Sequence, residues 1–189
     1  MSSLALLDPY GLDFYSNDLT DPSYKSLTKR YDLCASELNI LRQFDRSAQT
    51  EAQLMSTDIL DWYLENTAEG KNFIQNGCPV NQYLGLQKEL PKFMCNTHVI
   101  LNKGDAKDYI ARLNGFDKYF NEILNNLKTS EQNGVMPPKF VVEETLTDME
   151  SFINLPAMSN SLFKSFKKKV AALKITEGLS GVSEINCLL

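Results

Sequence analysis

Apolar residues between Lys103 and Phe152 recur at spacings of three and four. Tyr109, Ile110, Leu113, Phe116, Phe120, Ile123, Leu124 and Leu127 share one helical face. The spacing predicts one amphipathic helix that starts at Asp105, whose carboxylate suits the free amides and positive end of a first turn. It should stop after Asn133, where Gly134 offers a left-handed terminus. Pro137 and Pro138 cannot continue a hydrogen-bonded helix, but either fits the first turn of a new one. A second helix is therefore expected from about Pro138, with Val142, Leu146, Met149 and Ile153 as its apolar stripe and Leu155-Pro156 as its end. Joined by a short turn, the two helices should pack antiparallel to bury those stripes.

The same pattern organises the rest of the chain. Residues 1–22 read as an irregular leading segment, rich in turn-forming Asp, Asn, Pro and Gly. Tyr24, Leu27, Tyr31, Leu38 and Leu41 predict a helix capped by Ser23 and running to about Phe44. A further helix is expected from about Ser47 to Thr67, ended by Gly70. Residues 72–104 are broken by Gly77, Pro79, Gly85, Pro91 and Gly104, which suits short helical turns joined by loops, with a boundary at Leu90-Pro91. A last helix over Ser161–Lys174 places Leu162, Phe163, Phe166, Val170 and Leu173 on one face and its lysines, Lys169 among them, elsewhere on a solvated surface. Residues 175–189 form a polar tail expected to fray. The class is all-α: an irregular multi-helix bundle of antiparallel pairs and short loops, in one module over the 189 residues.

Composition narrows the functions available. A net charge of -5 lacks the concentrated basic surface that nucleic acids require. No stretch approaches the roughly 18 consecutive apolar residues of a membrane helix. The first residues, MSSLALLDPYGL, lack a secretory pattern, so a cytoplasmic chain is expected unless a leader lies outside it. Cys34, Cys78, Cys95 and Cys187 are widely spaced and read as buried or free thiols. His98 is the only histidine, which rules out a histidine-rich zinc site built from this chain and leaves a structural or surface role for that ring. Glu143, Glu144, Asp148 and Glu150 read as a solvated acidic face. The residues predict neither a catalytic group nor a metal ligand.

The segments PVNQYLGLQKELPKF, DAKDYIARLNGFDKYFNEILNNLK and NGVMPPKFVVEETLTDMESF, with the DILDWYLEN helix before them, resemble in order and spacing the N-terminal half of the bacterial domain of unknown function 885. The resemblance runs from about Tyr10 to Phe166. Members of that family resemble helical zinc peptidases, and longer ones carry a His-Glu-x-x-Pro-Gly-His stretch downstream. The resemblance implies that this chain is the N-terminal helical portion of a zinc metallopeptidase-like protein, cut off before its metal site and inactive alone. It holds no cofactor itself, zinc belonging to a full-length relative, and a peptide substrate would be engaged together with the C-terminal half. Many relatives are exported. In such an architecture Asn81, Gln82, Gln87 and Glu89 are the candidates to face a bound peptide, with backbone hydrogen bonding inside their own loop as the competing role. A stand-alone helical interaction module is the alternative function.

Overall fold

The computed structural model describes residues 17–172, in which all regular structure is helical. Seven α-helices follow one another: α1 (Tyr24–Leu41), α2 (Glu51–Glu69), α3 (Leu86–Asn96), α4 (Lys103–Asn114), α5 (Phe116–Gln132), α6 (Lys139–Ile153) and α7 (Ser161–Ala172). The all-α class is thus the observed one. The expected polar tail, Leu173, Cys187 and most of the leading segment lie outside the described residues; residues 17–22 are non-helical.

The chain divides into two compact units. The first takes the residues up to Thr20, Cys78–Asn121 and those from Met136 onward; the second takes Asp21–Gly77 and Glu122–Val135. The first unit carries a continuous apolar core in which Met94, Ala106, Tyr109, Leu162 and Phe166 are almost completely buried, with Ile100, Ile110, Leu113, Phe163 and Val170 around them. The α7 face predicted from spacing, Leu162, Phe163, Phe166 and Val170, is the buried one. The second unit is an antiparallel hairpin of α1 and α2, braced by Arg42 on Asp61 (2.7 Å) and Glu65 (2.8 Å) and by Lys71 on Asp32 (2.6 Å). Its interior includes a polar knot, in which Asn126 donates to the Pro22 carbonyl (2.8 Å) and Ser130 lies 2.7 Å from the Tyr24 hydroxyl. Against that, Leu38, Leu64 and Ile123 are its buried apolar residues, while Met55, Ile59, Trp62 and Tyr63 on α2 stand in solvent.

Local signals account for most helix ends. Ser23 caps α1 by accepting from the Ser26 amide (3.2 Å), and Thr50 with Gln53 forms a capping box on α2. Gly70 ends α2, and Gly134 adopts a φ of 74° beyond α5. Five expectations are corrected. The long helix is two, because the chain breaks at Gly115, whose amide bonds back to the Ala111 and Arg112 carbonyls (3.1 Å each) while Leu19 packs against its bare Cα. Asp105 is not the cap of α4; Asn102 is, accepting from Gly104 (2.6 Å) and Asp105 (3.1 Å), and Asp105 closes the box from three residues on. Helix α3 runs through Pro91, because burial of Leu90, Pro91 and Met94 offsets the one hydrogen bond the proline removes. The inward face of α6 is Val141, Thr145, Asp148, Met149 and Phe152, so the predicted stripe is rotated: Val142, Leu146 and Ile153 are exposed. The closely packed pairs include α1 with α2 and α3 with α7, and not the pair flanking Gly134.

Candidate binding groove

The turn before α3 is built from the residues that the sequence placed at a peptide. Asn81 folds it: its side chain accepts from the Tyr83 (2.9 Å) and Leu84 (2.8 Å) amides and donates to the Cys78 carbonyl (2.9 Å). The Gln87 amide donates to the Asn81 carbonyl (2.6 Å), and Lys88 donates to the Gln82 carbonyl (2.7 Å). Gly85 sits inside this wrap, where a Cβ would meet Gln87 Oε1 at 2.0 Å and the Asn81 carbonyl at 2.4 Å, so no other residue fits without rearranging the turn. Glu89 pairs with Lys92 one turn along α3 (3.1 Å). Of the four candidates, Gln87 reaches a groove; Asn81, Gln82 and Glu89 are not among its lining residues.

That groove belongs to the first unit and holds about 780 Å³. Its floor is apolar, from Pro91, Leu113, Phe116, Phe120, Met149 and Phe152, and Ile153 forms part of its rim. Lys88 of α3 reaches Asp148 of α6 (2.5 Å), tying the two walls together. Lys92, Asn160 and Ser161 supply further polar groups. An apolar trough with few polar groups at its edge binds by shape and surface burial. Cys95 also lines it.

Behind α3 lies a buried polar cluster that no spacing announced. Arg112 donates to His98 Nδ1 (2.6 Å), so the ring carries its proton on Nε2 and donates it to the Asp105 carbonyl (3.2 Å). The ring stands edge-on to Tyr109, with centroids 5.1 Å apart. Burial pushes the His98 imidazole down to about 4, and the charges of Arg112 and Lys169 add to the effect. Arg112 also donates to the Asp18 carbonyl (3.0 Å) and lies over the Phe93 ring. Lys169, expected on a solvated face, instead donates to the carbonyls of Met94 (2.8 Å) and His98 (2.6 Å), and burial lowers its pKa. These groups hold the C-terminal end of α3 in place, which makes His98 structural. Among the described residues no three His, Cys, Asp or Glu side chains converge as a metal site, and no helix is long and apolar enough to cross a membrane.

A family profile described as bacterial protein of unknown function (DUF885) matches residues 9–183. A crystal structure of a candidate lipoprotein from Colwellia psychrerythraea superposes on 92% of this chain with a TM-score of 0.79 at 18% sequence identity. At that identity the likeness is one of fold. The chain spans about a third of the length of that structure, 31%. No curated protein matches the chain.

Proposed function

Because the chain belongs to the bacterial family of unknown function DUF885, we propose that it is the N-terminal helical portion of a longer, zinc metallopeptidase-like protein, catalytically silent by itself. The observation that carries this reading is unburied apolar surface. Met55, Ile59, Trp62 and Tyr63 on α2, with Leu33 and Ile40 on α1, are exposed, and such a face is ordinarily covered in the finished protein. The length of the matched structure, about three times this chain, supports the same view. Zinc, its ligands and the peptide-cleaving groups would then come from beyond this chain, and of the four candidates in the turn before α3 Gln87, which lines the groove, would contribute to the substrate wall. A self-sufficient interaction module, the rival reading, would instead use part of that surface to dock a partner.

The test compares this chain with the longest product its locus encodes, measuring bound zinc and cleavage of a mixed peptide library. Zinc and cleavage in the longer product alone are the expected result. Neither property in either product overturns the peptidase reading and leaves the interaction module.

A further inference from the structure

Helix α6 carries an apolar line of which the fold half-buries only Met149. Val142, Leu146, Met149 and Ile153 follow one another at four, three and four residues, which aligns them along about 16 Å of helix. Leu146 is 52% exposed and Ile153 69%. Met149 and Ile153 also line the groove floored by Pro91, Leu113, Phe116 and Phe120, so the line and the trough are one continuous apolar seat. Its length suits three turns of a second helix, the form in which peptides fill such grooves. The flank is charged. Glu143 and Glu150 are exposed and sit on the solvent side of the line; with Asp148 paired to Lys88, Lys92 to Glu89 and Glu143 to Lys139, the acidic side chains of α6 left without a paired cation among the described residues are Glu144 and Glu150. A helix with acidic flanks would meet like charge there, and a basic one would meet its complement.

We infer that this seat holds an amphipathic helix with an apolar stripe and lysine or arginine along one flank, carried elsewhere in the longer protein; the source of the helix rests on the reading above. The seat is tested on the 189-residue chain itself. Labelled synthetic helices of about 18 residues, sharing one apolar stripe and flanked by lysines or by glutamates, are titrated by fluorescence anisotropy, beside a scrambled lysine version. The lysine-flanked helix should bind about tenfold or more tighter than the other two at low salt, with the gap narrowing as salt rises. Leu146→Glu and Ile153→Glu, both at exposed positions, should each weaken it by about tenfold, whereas Ile59→Glu on α2 should not. Equal binding of all three peptides, or binding indifferent to the α6 changes, overturns the seat. Zinc and cleavage in the longer product report on the parent reading alone, and peptide selectivity reports on the seat alone.

Discussion

At the scale of single residues, His98 shows how burial decides the state of a titratable group. Its ring accepts from Arg112 through one nitrogen and donates through the other, an arrangement open only to the neutral form. A folded pKa of about 4 against an ordinary 6.5 means that the unfolded chain takes up the proton first as pH falls. The stabilisation is therefore complete above pH 6.5 and is lost between 6.5 and 4, amounting to about 3 kcal/mol. Urea unfolding at pH 7 and at pH 4.5 should show this loss, and it should be much smaller in His98→Asn. The lone imidazole also gives a clean nuclear magnetic resonance signal, expected to keep its proton on Nε2 at pH 5. An imidazole titrating near 6.5 in the folded chain would contradict this account. That His98 is structural was legible from its isolation in the sequence. Its Arg112 partner was not, since His98 lies in the loop between α3 and α4 and Arg112 inside α4, so no single helix carries both.

Between elements, the packing of α7 on α3 combines an apolar contact with a cap. A helix leaves its last carbonyls unpaired, and α7 supplies the donors: Ser165 to the Cys95 carbonyl (3.1 Å) and Lys169 to Met94 and His98. Lys169→Met keeps the stem packing and removes two charged hydrogen bonds. It should lower stability by about 1–3 kcal/mol, read from the denaturation midpoint, with Lys168→Met, at an exposed position, as the near-silent control. Equal effects of the two would place Lys169 in solvent. The apolar face of α7 was readable because its period is local. Its cap was not, because four neighbouring lysine-bearing positions are chemically alike and only the nearby carbonyls distinguish one of them.

For the whole molecule, the two units differ in how much apolar surface they bury. The first encloses a continuous cluster around Tyr109 and Phe166, whereas the second leaves Ile59 and Trp62 on α2 exposed. The chain alone should therefore self-associate as its concentration rises, visible in sedimentation velocity. Ile59→Lys combined with Trp62→Lys should return it to a single species with little change in unfolding midpoint, because neither side chain is packed in the fold. Concentration-independent sedimentation of the unmodified chain would count against the fragment reading as well.

Periodicity and punctuation, both local, determined the helical class, the buried face of α7, the Ser23 cap, and the stops at Gly70 and Gly134. Three features needed the folded chain. Helix α6 turned Val142, Leu146 and Ile153 of its predicted stripe outward because Val141, Thr145 and Phe152 face the interior instead. The long helix divided at Gly115, where Leu19, nearly a hundred residues earlier, packs. Helix α3 crossed Pro91 because its neighbours could be buried. Each outcome depends on which distant surface meets the helix, and a pattern along one strand of sequence carries no record of that surface.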